Sequence, residues 1–301
     1  MLFAIPFFKN TVYLRETLQS LKRQGDPDWQ AVVLDDSIDP KESKHAEAAV
    51  SELRDDRFIY QKNHTNLGIA KNWNQALDYA VSRNADLLVI LHADDRLKED
   101  YVFEIKKIAK LFPEACGYFA RTEIIGSKGS PVFSFADSYK KLLVVKSDFV
   151  ELKGIAGVAN LIPGNFIFCP SICYRLSKFK TERFDGNRKM VMDFEFLLRL
   201  LLRNETWVGF YKKPIFEYRR HENNATVMLT RDLIRFKEEI ALYQALSDEL
   251  LKRGEINLAK QAKKMRVVCL NLLFELIKSL LGLKFTLARN EARLLRSVLW
   301  Q

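Results

Sequence analysis

The chain has 301 residues and a mass of 35.0 kDa, with 48% hydrophobic and 29% charged residues. That length holds one large α/β domain, alone or with a small addition, and the composition excludes disorder and fibrous repeats. Lys and Arg number 48 against 38 Asp and Glu, so the net charge is +10 and the pI near 9.3. Such a balance calls for an anionic partner without choosing among nucleic acid, a membrane face and a phosphorylated substrate.

Strand and helix alternate through the first third of the chain. Leu2 to Phe8 reads as a strand, and Thr11 to Arg23 as a helix with Leu14, Leu18 and Leu21 on one face. Trp29 to Leu34 is the next strand, Lys41 to Arg54 the next helix and Arg57 to Gln61 a short third strand. An Asn66-Leu67-Gly68 turn leads into a helix from Ile69 to about Ser82, where Trp73, Ala76, Leu77 and Ala80 keep helical spacing. Asp86 to Leu91 and Tyr101 to Leu111 repeat the pair. This order predicts a doubly wound, mostly parallel sheet. Beyond Pro113 the rhythm changes: Cys116 to Ile125, the Gly126 to Gly129 turn and Pro131 to Phe135 predict a hairpin, hence antiparallel additions. Residues from about 136 to 165 read as loop and helix, and Phe166 to Arg175 as strand. Val191 to Arg203 is a strongly apolar helix, Thr206 to Tyr211 and Ile215 to Tyr218 are strand-like, and everything from about Thr230 is helical.

Two of the strands end in paired aspartates. Ala31 to Leu34 runs into Asp35-Asp36, and Leu87 to Leu91 runs through His92-Ala93 into Asp94-Asp95. Short uninterrupted apolar strands belong to sheets covered on both faces, whose ligands sit beyond the strands' carboxyl ends. Both pairs then face one site. Carboxylates gathered there repel one another unless a cation or hydrogen-bond donors neutralise them, which points to a divalent metal and a phosphate-bearing substrate.

Cys116, Cys169, Cys173 and Cys269 are scattered without zinc-like spacing, so buried free thiols in a reducing compartment are expected. Met1 to Pro6 enters a strand directly, without the basic flank and cleavage site of a signal peptide, and residence in the cytoplasm is expected.

The order of these motifs resembles the family 2 glycosyltransferases of the GT-A fold over roughly residues 1–226. Ile5-Pro6-Phe7-Phe8 is similar to that family's opening strand, Val33 to Ser37 to its base-binding turn, and Asn66-Leu67-Gly68 with Asn72 to its third loop and helix. His92-Ala93-Asp94-Asp95 resembles its metal-binding acidic motif, Met192-Asp193-Phe194-Glu195 its catalytic-base motif, and Tyr218-Arg219-Arg220-His221 its closing segment. The family commonly has an acidic residue where this chain has His92, and Glu where it has Met192.

The resemblance implies an inverting transfer of one sugar from a nucleotide diphosphate sugar, UDP or dTDP most readily, to a hydroxyl of a glycan or lipid-linked acceptor. It implies a donor site formed by Pro6, Phe8, Asp36, Asn66, Lys71, Asp94, Arg219 and Arg220. Within it Asp36 reads an imide N–H of the base, and one arginine meets the charge developing on the leaving group. Asp95 and His221 hold Mg²⁺ or Mn²⁺, and Asp193 is the general base. Alternatives stand beside these roles: Asp36 suits a cap for the helix near Lys41, and Glu195 suits either the base or a residue that positions a loop. The processive members' Gln-x-x-Arg-Trp motif is replaced by Leu197-Leu198-Arg199-Leu200-Leu201, so transfer of a single sugar is expected.

Residues 227–301 are expected to form a helical appendage to the 1–226 transferase domain. Val267 to Leu283 is dense in apolar residues, but Asn271, Glu275 and Lys278 interrupt it, which excludes a membrane-spanning helix. Lys260, Lys263, Lys264 and Arg266 before it, and Lys284, Arg289, Arg293 and Arg296 after it, suit an anionic leaflet. Packing on the main domain, or on a second copy in a homo-oligomer, suits it as well. Nucleic acid is not an expected partner. The competing functions are a metal-dependent nucleotidyltransferase, for which no Gly-rich phosphate loop follows the first strand, and a degenerate transferase acting as a basic membrane-binding protein.

Overall fold

The computed structural model describes residues 1–132, 147–179, 181–222 and 224–299. Its first part alternates β1 (Leu2–Phe7), α1 (Thr11–Lys22), β2 (Gln30–Asp35), α2 (Pro40–Ser51), β3 (Phe58–Lys62), α3 (Ile69–Ser82), β4 (Leu87–Ile90), β5 (Arg96–Leu97) and α4 (Tyr101–Leu111). There follow β6 (Gly117–Ala120), β7 (Thr122–Ile125), β8 (Phe149–Lys153), α5 (Gly154–Leu161), β9 (Cys173–Arg175), α6 (Met192–Leu202), β10 (Thr206–Phe210) and β11 (Phe216–Arg219). The chain closes with α7 (Ala225–Arg231), α8 (Ile234–Lys252), α9 (Ile256–Lys263), α10 (Arg266–Leu281) and α11 (Phe285–Leu299).

The large sheet runs β3-β2-β1-β4-β9-β6-β10-β8, with β3, β2, β1 and β4 mutually parallel. Successive side chains of β1 go to opposite faces. Phe3, Ile5 and Phe7 join α1, α2 and α4 in one core, whereas Leu2 and Ala4 join α3 and α6 in the other. Burial on both faces is why these strands read as unbroken apolar runs. It also puts the ends of β2 and β4 at one edge of the sheet, because both run parallel to β1.

Two expected strands take a different course. The run from Cys116 to Ile125 divides at Arg121: β6 joins the large sheet, and β7 joins β5 and β11 in a small second sheet. The hairpin turn is present, with Gly126 N donating to Ser130 O at 2.8 Å and Val132 N to Ile124 O at 2.9 Å. The remainder of that arm, from residue 133, lies outside the described residues, as does 136–146 of the stretch read as loop and helix. Of Phe166 to Arg175 only the last three residues are strand, inserted antiparallel between β4 and β6. Cys169–Ser171 is a 3₁₀ turn carrying Pro170, which has no N–H to give a ladder.

The C-terminal helices share the core of the sheet. Phe236, Ile240, Tyr243, Leu246 and Leu250 of α8 belong to the same buried cluster as Phe194, Leu197 and Leu201 of α6 and Leu88 of β4. No helix among the described residues is long and apolar enough to cross a membrane.

Candidate active site

The turn after β2 is fastened by its own carboxylates. Asp35 is fully buried, and its Oδ1 accepts from Ser37 N at 2.7 Å and from the Ser37 hydroxyl, while Oδ2 accepts from the Tyr60 hydroxyl at 2.6 Å. Burial alone would raise this carboxyl; the bonds from Ser37 and Tyr60 outweigh it and hold the group below its ordinary value. Asp35 therefore orients the turn.

Asp36 gathers the loop that enters α3. Its Oδ1 accepts from Asn63 Nδ2 at 2.9 Å and Leu67 N at 2.7 Å, and its Oδ2 from Asn66 Nδ2 and Gly68 N, both at 2.9 Å. A carboxylate offers about four acceptor positions, and all are used. Asp36 does not cap α2; Asp39 does, accepting from Lys41 N at 2.9 Å. Gly68 closes the loop at φ 76°, where a side chain would be strained. We expect Asp36→Asn to put an amide N–H against two of these donors and to lower stability by about 2–4 kcal/mol. Urea unfolding of the ligand-free protein measures this; an unchanged midpoint would restrict Asp36 to ligand recognition.

The second pair lies just beyond β4. Asp95 is fully buried; its Oδ1 accepts from Arg219 N at 2.7 Å, and its Oδ2 has no hydrogen-bond partner among the described residues. Its backbone carbonyl is held by the Thr17 hydroxyl of α1 at 2.7 Å. Burial, then the charge of Asp94, pushes the Asp95 carboxyl well above its ordinary value. His92 Nδ1 stands 3.8 Å from Asp95 Oδ2, and the ring lies 5.3 Å from that of Trp73 on α3. Burial lowers the His92 imidazole, keeping it neutral and able to donate a lone pair. Ligand atoms of His92, Asp94 and Asp95 all lie within 4.8 Å of one another. An orphaned buried carboxylate oxygen with a neutral imidazole and a second carboxylate is a donor set that fits a divalent cation.

The closing segment departs from expectation in two respects. Arg219 is fully buried, and its guanidinium is committed to the Asp94 carbonyl at 2.7 Å, the Ser127 carbonyl at 3.1 Å and Glu16 at 2.5 Å, over the Tyr13 ring. It ties β11 to the acidic turn, with its guanidinium enclosed by protein groups. His221 Nε2 pairs with Asp94 Oδ2 at 2.9 Å, so it reaches the acidic pair through Asp94 while His92 occupies the cluster itself. The three-residue spacing from His92 to Asp95 at a strand's end was the sequence signal for that role. Arg220 is half-buried beside His221, with its N–H on the Ile125 carbonyl at 2.8 Å.

Asp193 is half-buried in the first turn of α6. Burial, then the charge of Asp193, pushes the Cys169 thiol well above its ordinary value. Glu195 is committed elsewhere: it holds Arg199 at 2.8 Å, which in turn bonds Glu182 and the Arg183 carbonyl. These bonds link Glu195 through Arg199 to the 182–183 segment. Of the remaining donor-site residues, Pro6 and Phe8 sit at the carboxyl end of β1, with Phe8 46% exposed. Asn66 binds both the carbonyl and the carboxylate of Asp36. Lys71 is exposed in the first turn of α3, where a cation and free amides suit phosphate.

A two-faced, mostly parallel sheet with antiparallel additions and an acidic cluster beyond its central strands is the architecture of the GT-A fold. Residues 3–128 match the family described as "Glycosyl transferase family 2". The structure is similar to that of S. aureus TarS 1-349 in complex with UDP-GlcNAc, with TM-score 0.57 and 17% identity over 98% of this chain and 91% of that one. It is also similar to S. aureus TarS 1-349, with TM-score 0.56 and 18% identity over 83% of this chain and 65% of that one, just under two thirds of its length. GalNAc-T7 with UDP, GalNAc and Mn²⁺ gives TM-score 0.53 and 10% identity over 73% and 44%. No curated protein matches the chain in sequence.

Proposed function

We propose that the chain is an inverting, metal-dependent transferase that moves one sugar from a UDP- or dTDP-sugar to a hydroxyl of a glycan or lipid-linked acceptor, at the cytoplasmic side of a membrane. The observation that carries this reading is the unpartnered, buried Oδ2 of Asp95 beside His92 and Asp94. Structures of the same fold with UDP-GlcNAc, and with UDP, GalNAc and Mn²⁺, support a nucleotide-sugar donor and a divalent cation. Asp95, His92 and Asp94 would hold Mg²⁺ or Mn²⁺, which neutralises a diphosphate leaving group when bound. Lys71 and Arg220 add positive charge around the phosphates, and His221 orients Asp94. Asp193 takes the proton from the acceptor hydroxyl as its oxygen attacks the anomeric carbon from the face opposite the diphosphate; the C–O bond to the diphosphate breaks and its electron pair leaves with the phosphate.

Thermal shift with UDP, dTDP and GDP, each with and without Mn²⁺, tests the donor site. Saturation at a hundred times the dissociation constant stabilises the fold by about 2.7 kcal/mol. We expect a metal-dependent shift with UDP or dTDP; no shift with any nucleotide would overturn the assignment.

The membrane part of the reading has its own support. Leu270, Leu273, Phe274, Ile277, Leu280 and Leu281 form an exposed stripe on α10, and Lys284, Arg289, Arg293 and Arg296 follow it. We expect the protein to sediment with phosphatidylglycerol vesicles and not with phosphatidylcholine ones, and Leu273→Ser with Phe274→Ser to abolish this. A salt-insensitive dimer with no vesicle binding would assign the stripe to a second copy instead.

A further inference from the structure

We propose that Glu238, in the C-terminal helical region, is a positioning residue for the Asp193 base; this rests on the assignment of Asp193 made above. Both carboxylate oxygens of Glu238 serve the segment entering α6. Oε1 accepts from Lys189 N at 2.8 Å, and Oε2 accepts from Met190 N at 2.9 Å and Val191 N at 3.2 Å. Val191 is the cap residue of α6, and its own side chain makes no capping bond. Amides at a helix start lack internal partners, and their positive end favours an anion. Glu238 is the anion supplied, from 47 to 49 residues away in sequence.

The other end of the helix is held from the same side. Arg253, the residue after α8, donates from Nη1 to the Leu202 carbonyl at 2.7 Å, placing a cation on the carboxyl end of α6. Between the two ends Phe194 packs on Tyr243, ring centroids 6.1 Å apart, and the Tyr243 hydroxyl donates to the Ile162 carbonyl at 3.0 Å. α8 therefore grips the base-bearing helix at both termini, with charges that complement its dipole.

The origin of the cap matters for catalysis. A serine or aspartate at the cap position would stabilise the helix wherever it lay, because such a cap travels with it. A carboxylate on another helix instead fixes where the first turn stands relative to the core, and Asp193 is in that turn. A base displaced by about 1 Å loses on the order of 10²-fold in rate. Glu238 is exempt from contact with substrate in this scheme and acts only through Asp193.

The test compares the full-length wild type with Glu238→Gln, Asp193→Asn and the double variant. The probe is release of UDP or dTDP, with Mn²⁺ and water as acceptor, from UDP-GlcNAc, UDP-glucose, UDP-galactose and dTDP-glucose, using whichever the wild type hydrolyses fastest. Rates are expressed per nucleotide-binding site counted by titration with the matching nucleoside diphosphate, so that misfolded protein is removed from the comparison. We expect Glu238→Gln to lower kcat per site about tenfold or more, to leave the donor KM within about twofold, and to change nothing further in the Asp193→Asn background. An unchanged kcat per site in Glu238→Gln overturns the proposal. So does an additive loss in the double variant, which marks a merely structural role. Full turnover by Asp193→Asn, or no hydrolysis of any donor by the wild type, overturns the base assignment itself.

Discussion

Asp95→Asn is expected to raise the thermal midpoint of the metal-free protein while removing its response to Mn²⁺ and its transferase activity. In the folded chain Asp95 is fully buried beside Asp94, and the Arg219 amide and charge relieve its own charge only in part. Asparagine keeps an oxygen for that amide and removes the buried charge, whose isolation costs several kcal/mol in the absence of a counter-ion. The gain is expected to be on the order of 1 kcal/mol or more, which in a chain of this size is ~2–4 °C.

The sign of the pH dependence follows. Burial and Asp94 raise the carboxyl in the folded state, so the folded protein holds that proton more tightly than the unfolded chain. Below the ordinary carboxylate range Asp95 costs nothing. As pH rises through that range the wild type loses stability, and the loss levels off only above the raised folded value. Melting curves in EDTA from pH 4 upward should therefore show wild type and Asp95→Asn diverging with pH, and excess Mn²⁺ should restore the wild type alone. A variant that melts lower than wild type at neutral pH in EDTA would mean that Asp95 is already compensated and that the cluster has no need of a cation.

The N-terminal half of this fold was legible because each element carried its own signal. β1, β2 and β4 are apolar on both faces, α3 has Trp73, Ala76, Leu77 and Ala80 on one side, and Gly68 takes the positive φ at its start. The acidic pairs could be placed at one edge because parallel strands end on the same side. What could not be read was which acidic group is spent on structure. Asp36 and Asp95 are alike in sequence, each the second residue of a pair after a strand. In the structure Asp36 meets four donors from the 63–68 loop, and Asp95 meets one, from a residue 124 positions away. The surroundings of Arg219 were hidden for the same reason: Glu16, 203 positions away, and Tyr13 of α1 enclose its guanidinium. The split of Cys116 to Ile125 between two sheets was likewise hidden, since both halves alternate like one strand. Partnerships of long sequence separation, not local propensity, decide these cases.

Asp193→Asn should leave nucleotide binding within about twofold of wild type and lower transfer by about 10³-fold, the usual size of a lost general base. The carboxylate lies in the first turn of α6, so losing its charge removes at most ~1 kcal/mol of helix stabilisation, while Glu238 continues to cap the helix start. Asparagine has nearly the size and shape of aspartate, so the surrounding packing has no reason to move. What disappears is the ability to accept a proton from an attacking hydroxyl. Glu195 is not in a position to take over, because Arg199 holds both of its oxygens, at 2.8 and 3.1 Å. Isothermal titration with the nucleoside diphosphate alongside initial rates of its release from the nucleotide sugar separates the two effects. Loss of nucleotide affinity in Asp193→Asn would make Asp193 part of the donor site's framework. Retention of full activity would move the base to a residue outside α6.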